Sequence, residues 1–159
     1  NWAITSGTDA QIVLHDVERV LLSSTDILAL DLSGNAGQGY RMYQAAFART
    51  PDLGGLSYWV NKLDSGMSMR DVAYGFIQST EFKGIYGSQS TNAQLVAKFY
   101  QNVLGRDGEK AGMDYWTGLL DKGVSLIDVL AGFSEAAENL SKVAPAISAG
   151  IHLDPTYFA

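Results

Sequence analysis

The chain contains no cysteine, which excludes disulfides and thiolate metal sites. Histidine is almost as scarce: His15 and His152 are the 2 copies, isolated from each other. No Ser/His/Asp arrangement is supported by spacing. No nucleophile elbow, phosphate-binding loop or HExxH motif occurs either. Charge is also sparse, at 18% of 159 residues, with 11 Lys and Arg against 17 Asp and Glu and a net charge of −6. The cations are scattered rather than arrayed, which argues against a nucleic-acid partner, because duplex binding needs Lys/Arg arrays to displace counterions. No apolar run approaches the roughly 20 residues of a membrane span, and no charged-then-apolar leader opens the chain. It begins Asn1-Trp2 without Met, as a piece of a longer protein would. What remains is 47% hydrophobic, a composition that folds rather than one that stays disordered. The length suffices for one domain with a sizeable core.

The most informative feature present is an internal repeat. Residues 43–81 recur at 100–138 in one register without a gap. The first copy reads Tyr43-Gln44, Arg49, Gly55, Tyr58-Trp59, Leu63-Asp64, Gly66, Ser68, Asp71-Val72, Gly75-Phe76 and Glu81. The second reads Tyr100-Gln101, Arg106, Gly112, Tyr115-Trp116, Leu120-Asp121, Gly123, Ser125, Asp128-Val129, Gly132-Phe133 and Glu138. Roughly fifteen of about forty positions are identical, far beyond chance for a fixed register. The recurring residues are aromatic or punctuate helices. No His, Cys or carboxylate cluster recurs, which points to a scaffold or binding module rather than an enzyme.

Periodicity gives the organisation. Residues 1–34 read as a β-structured segment, with strand-like runs at Gln11–Leu14 and Ile27–Leu32 forming a hairpin or the end of a β-structure. From 35 to 140 the pattern is helical. Tyr40, Tyr43 and Phe47 share one face, followed by Leu56, Trp59, Val60 and Leu63, and then by Val72 and Phe76. Asn35–Gln38 and Thr91–Gln94 have capping-box spacing, and Ser68 and Ser125 stand as caps with Asp71 and Asp128 reaching back. The expected fold is mainly α: two tandem three-helix units, about 36–83 and 91–140, packed about a pseudo-twofold axis after a short β-hairpin-like segment. The expected core comprises Tyr43, Trp59, Phe76, Tyr100, Trp116 and Phe133. Residues 141–159 form a tail that starts helical, breaks at Ala144-Pro145 and is loosely held.

Two readings compete at the candidate sites. Trp59 and Trp116 fit the core, where each buries about 150–250 Å², while Tyr58 and Tyr115 point partly outward and offer platforms for sugar rings. Arg49 and Arg106 close the first helix of each unit, where a cation is favoured by the helix terminus and can bond the following loop, or can bind a ligand. The loops 50–55 and 107–112 carry oxygens but lack the ligand spacing of a calcium-binding EF-hand loop, so no metal ligand is assigned. Asp64 and Asp121 read as solvated. No cofactor is expected within this segment.

The run Gly39–Asp52, followed by Gly55-Leu56-Ser57-Tyr58-Trp59, with Leu104-Gly105-Arg106-Asp107 and Tyr115-Trp116 in the second copy, resembles a bacterial domain-of-unknown-function family, 4214. The first copy departs from the Gly-Arg-Asp signature at Ala48-Arg49-Thr50. That family is distantly similar to phycobilisome linker domains, which implies an all-helical fold and no established activity. Val17–Val20 with Ile27–Asp31 resembles the closing segment of RTX-type regions in exported bacterial proteins. Their calcium-binding nonapeptides are absent here, so calcium belongs to any upstream repeats. This second resemblance implies export through type I secretion machinery, with Asp154 before Tyr157-Phe158-Ala159 as a loose match to its signal. The expectation is a non-catalytic C-terminal module of a secreted or cell-surface protein, serving export, anchoring or adhesion to surface proteins or polysaccharide. The alternatives are an extracellular carbohydrate-binding module and an auxiliary domain of a secreted hydrolase.

Overall fold

The computed structural model describes residues 2–6, 10–14, 16–87 and 90–158, the first two stretches by backbone alone. His15 and Ala159 lie outside the described residues. Strands β1 (Trp2–Ser6) and β2 (Ala10–Leu14) form an antiparallel hairpin. Strands β3 (Arg19–Ser23), β4 (Asp26–Ala29) and β5 (Ile151–Leu153) form an antiparallel sheet in the order β3-β4-β5. An N-terminal hairpin is thus present, and the two runs expected as a hairpin or the end of a β-structure divide between it and the three-stranded sheet. Each pairs with a strand that alternation did not reveal, and β4 also pairs with the tail.

The rest is helical. The first unit holds α1 (Asn35–Phe47), α2 (Leu53–Asp64), α3 (Met69–Gln78) and α4 (Thr80–Tyr86). The second holds α5 (Asn92–Phe99), which continues through a π-helical turn at Tyr100–Leu104, then α6 (Lys110–Asp121), α7 (Leu126–Ser134) and α8 (Ala137–Ile147). Each unit thus follows its three expected helices with a fourth. In the first unit a single residue separates α3 from α4: the Ser79 hydroxyl donates to the Phe76 carbonyl at 2.6 Å and accepts from the Phe82 amide at 3.1 Å. That reversal sends Phe82 and Tyr86, four residues apart on α4, into the core.

Three of the four caps expected from the sequence form. Ser68 and Ser125 each accept the amide of the Asp three residues on at 3.2 Å and donate to its carboxylate at 2.6 Å. Thr91 and Gln94 form the reciprocal capping box. At α1 the expected box is absent: Gly34 stands at the N-cap without a side-chain bond, and Asp31 accepts the Ala36 amide from outside the helix at 3.0 Å.

The two units share one core. Met42, Tyr43, Val72, Phe76 and Tyr86 from the first pack with Val96, Phe99, Tyr100, Val129 and Phe133 from the second. Tyr86 is fully buried, donates its hydroxyl to the Ala45 carbonyl at 2.9 Å and lies 4.7 Å from the Phe99 ring. Each such side chain contributes about 1.5–3 kcal/mol by leaving water. Trp59 and Trp116 do not sit at the centre of this core. Both are half-buried at its rim, packed against Phe76 and Phe133 respectively with centroids 4.9 Å apart. Equivalent elements meet where α3 packs on α7 and where α1 meets the π-helical turn. The packing is not fully symmetric, since α1 lies against α7 while α5 makes no comparable contact with α3.

A second apolar cluster explains part of the asymmetry and corrects the reading of the tail. Ile27, Ala29, Ala36, Leu56, Val60, Val143, Ile147, Ile151 and Leu153 bury together. Helix α8 runs through Pro145 because Val143 and Ile147, four residues apart, both anchor in this cluster. The chain then adds β5 to β4, with Leu153 fully buried, and the Asp154 amide donates to the Ser57 hydroxyl at 2.8 Å. The tail is a strap across α2, not a loose end. Helix α6, the counterpart of α2, has no fully buried residue. Its residues suit that exposure: Asp114 and Thr117 stand where α2 has Ser57 and Val60.

Candidate functional site

The recurring residues assemble into the same interlocked constellation twice. In the first unit, Arg49 at the end of α1 grips Glu81 on α4 with Nε at 2.7 Å and Nη2 at 3.3 Å. In the second, Arg106 grips Glu138 on α8 with the same two nitrogens at 2.6 and 2.7 Å. Each arginine also pairs with the N-cap acid of the following helix, Asp52 at 3.3 Å and Glu109 at 2.6 Å. Each donates to the following loop, at the Thr50 and Asp107 carbonyls. Each guanidinium lies over a recurring tyrosine ring, 5.1 Å from Tyr43 and 5.0 Å from Tyr100. Those tyrosine hydroxyls donate to Asp52 and Glu109 in turn. One cation thereby ties together the first, second and fourth helices of its unit.

The network moves the proton affinities of its members. Burial, reinforced by the hydrogen bond to Asp52, pushes the Tyr43 phenol up to about 12. Burial and the charge of Glu109 push Tyr100 up as well. The bond from Tyr43, the Gly55 amide and Arg49 hold Asp52 below its ordinary value. Arg106 does the same for Glu109 and Glu138.

Close backbone approach is required at the recurring glycines. A Cβ on Gly55 would stand 2.8 Å from the Tyr43 hydroxyl, and one on Gly112 would collide with that of Tyr100. A Cβ on Gly75 would stand 2.7 Å from Trp59 Cη2, and Gly132 seats Trp116 in the same way. Asp64 and Asp121, expected to be solvated, are exposed and also partnered: Asn35 donates to Asp64 at 2.9 Å and Asn92 to Asp121 at 2.7 Å. Asn35-Ala36 and Asn92-Ala93 stand in the register of the repeat, so extending the comparison eight residues upstream of Tyr43 exposes this pair in the sequence.

Tyr58 and Tyr115 behave differently from the other recurring aromatics. They are 42% and 60% exposed, whereas Tyr43, Phe76, Tyr100 and Phe133 are buried. Each meets its neighbouring tryptophan edge-on, at 5.0 Å and 81° in the first copy and 5.1 Å and 74° in the second. The Lys62 ammonium lies 5.3 Å from the Tyr58 centroid, and Tyr157 of the tail stands 6.5 Å away. Tyr58 and Tyr115 stand on separate helices, α2 and α6. In the loops where calcium was weighed, Asp107 accepts from Gln101 at 2.7 Å and Glu109 is held by Arg106. Among the described residues no three His, Asp or Glu side chains converge as metal ligands. His152, outside the repeat, lies 2.9 Å from Asp26 across the β4–β5 pair. No helix of the described residues is long and apolar enough to cross a membrane.

A family model described as a domain of unknown function (DUF4214) matches residues 40–86 and again 73–143. Together the matches span well over half of the chain, which belongs to this family. Comparison with curated proteins and with solved structures finds no match.

Proposed function

We propose that the chain is a non-catalytic interaction module of a bacterial exoprotein, acting outside the cell in anchoring or adhesion. One observation carries this reading. The recurring charged residues are committed to structure: Arg49 to Glu81 and Asp52, Arg106 to Glu138 and Glu109, and the recurring aspartates to Asn35, Asn92, Ser68 and Ser125. Groups committed to holding helices together are not poised to act on a substrate. The large side chains that recur and face outward are aromatic, which suits recognition. The segment before α1, with its likeness to the end of an RTX-type region, supports an exported parent protein. The absence of cysteine and the acidic charge suit the same setting. Interaction is assigned to the helical surface rather than the tail, because Ile151 and Leu153 are buried. An auxiliary role beside a secreted hydrolase uses the same surface.

The test is location. Intact cells making the full parent protein are treated with protease, and the medium is probed for this segment. Digestion at the cell surface or recovery from the medium is expected. Recovery solely from the protected cell interior contradicts the proposal.

A further inference from the structure

The duplication sorts its own residues. The recurring serines and Asp71 and Asp128 cap helices, and the recurring arginines, glutamates and Tyr43 and Tyr100 form the ion-pair networks. Asp64 and Asp121 hold the first helix of each unit, Phe76 and Phe133 fill the core, and Gly75 and Gly132 seat the tryptophans. Tyr58 and Tyr115 stand outside that division of labour, with large rings in solvent in both copies. The same ring is exposed at the same position in both copies while the other recurring tyrosines and phenylalanines are buried, which marks this pair as the candidate contact surface.

Resting on the interaction-module reading above, we infer that Tyr58 and Tyr115 are twin stacking platforms for the sugar rings of an uncharged, repeating polysaccharide. Four features select this occupant. First, each platform is a single ring held upright by the edge of Trp59 or Trp116. One ring matches the C–H face of one pyranose, whereas the core of a protein interface needs a contiguous apolar patch. Second, the helix surface beside Tyr115 is low, with Ala111 one turn before it and nothing within 4 Å of a Cβ built on Gly118, one turn after; beside Tyr58 the tail's Tyr157 borders the platform, its hydroxyl 3.4 Å from a Cβ built on Gly54. Third, polar groups lie alongside for directional bonds to hydroxyls. They are the Lys62 ammonium, which lies over one face of the Tyr58 ring, and Asp114, the neighbour of Tyr115, which is paired with Lys110 and well exposed. Fourth, two equivalent weak sites gain most from a ligand that repeats, since the second contact becomes intramolecular. The net charge of −6 and sequence pI near 4.7 oppose a polyanion.

The experiment is native gel electrophoresis of the whole chain through gels containing hydroxyethylcellulose, galactomannan, dextran or, as the acidic comparator, alginate. Retardation by at least one neutral polymer is expected. Tyr58→Ala and Tyr115→Ala should each weaken it about tenfold or more, and the double variant should abolish it. A Tyr58→Phe/Tyr115→Phe double variant, which keeps both rings, should still bind. Calorimetry should find the polymer bound at least about tenfold more tightly than its own disaccharide. No retardation in any neutral gel, retardation in alginate alone, or equal retardation of the double alanine variant overturns the inference. If the double alanine variant does not fold, the length dependence still decides, because a polymer bound no better than its disaccharide refutes the paired platforms. Release of reducing ends from the polymer would instead overturn the non-catalytic reading itself.

Discussion

The seating of the tryptophans on glycine makes a prediction whose sign is opposite to that of helix propensity. Gly75 and Gly118 are both interior to helices, α3 and α6. Replacing an interior helical glycine by alanine gains about 0.8–1 kcal/mol where nothing interferes. At Gly118 nothing lies within 4 Å of the new Cβ, so Gly118→Ala should stabilise the protein by about 0.5–1 kcal/mol. At Gly75 the new methyl would stand 2.7 Å from Trp59 Cη2, with two more ring atoms at 3.5 and 3.6 Å. The indole is boxed between Phe76 at 4.9 Å and Tyr58 at 5.0 Å. Overpacking of this kind costs about 1–3 kcal/mol, which offsets the propensity gain and leaves Gly75→Ala neutral to about 2 kcal/mol destabilised. Gly132→Ala should follow Gly75→Ala, because Trp116 occupies the equivalent seat. Urea unfolding followed by circular dichroism measures all three. With a slope of about 1–3 kcal/mol/M, the two classes should separate by about 1 M in midpoint. A Gly75→Ala midpoint raised as far as that of Gly118→Ala would refute the seating of the tryptophans.

Three further outcomes follow from the same geometry. Ala48 closes α1 with φ at 54°, where the second unit has Gly105, so Ala48→Gly should raise stability by about 1 kcal/mol, read as a higher melting temperature. Leu153→Ala, which empties a fully buried site in the tail strand, should cost about 2–5 kcal/mol in chemical denaturation; an unchanged midpoint would show that the tail is not a strap. In acid, Asp52, Glu109 and Glu138 have folded values below their ordinary 3.8, 4.5 and 4.5. Their contribution is therefore present above about pH 4.5 and lost as pH falls through the lowered values. In base the sign reverses: Tyr43, raised from 10.0 to about 12, contributes stability that is intact below pH 10 and is lost as pH rises towards 12. Melting temperature against pH should show both shoulders, and Tyr43→Phe should diminish the alkaline one.

The repeat made the helical units legible because identical residues in one register report a shared environment twice. Tyr43, Tyr100, Phe76 and Phe133 are core for the reason their periodicity gives, and the caps at Ser68, Thr91 and Ser125 follow from side-chain chemistry within four residues. What sequence reading missed was non-local. Strand β5 is only three residues long, and its partner β4 lies more than a hundred residues earlier, so no local pattern announces it. Pro145 reads as a breaker because propensity is local, whereas the anchoring of Val143 and Ile147 is tertiary. At α1 the Asn35–Gln38 spacing mimics a capping box, but Asp31 reaches the helix terminus from the preceding loop. Trp59 and Trp116 lie on apolar stripes, yet half-burial depends on how far the neighbouring helices overlap, which a stripe does not encode. The outward turn of Tyr58 and Tyr115 was legible from the step of one residue relative to those tryptophans.

The central claim is the division of the recurring residues into those that hold the fold and the tyrosine pair that faces outward. It is tested most directly by comparing Tyr115→Ala with Phe133→Ala in equilibrium unfolding. Phe133 is 1% exposed and Tyr115 60% exposed. The account predicts a loss of about 3–5 kcal/mol for Phe133→Ala. For Tyr115→Ala it predicts at most about 1.5 kcal/mol, the upper worth of one edge-on aromatic contact. Equal losses at the two positions would contradict it, because Tyr115 would then be one more structural residue and no recurring ring would be left to serve a partner.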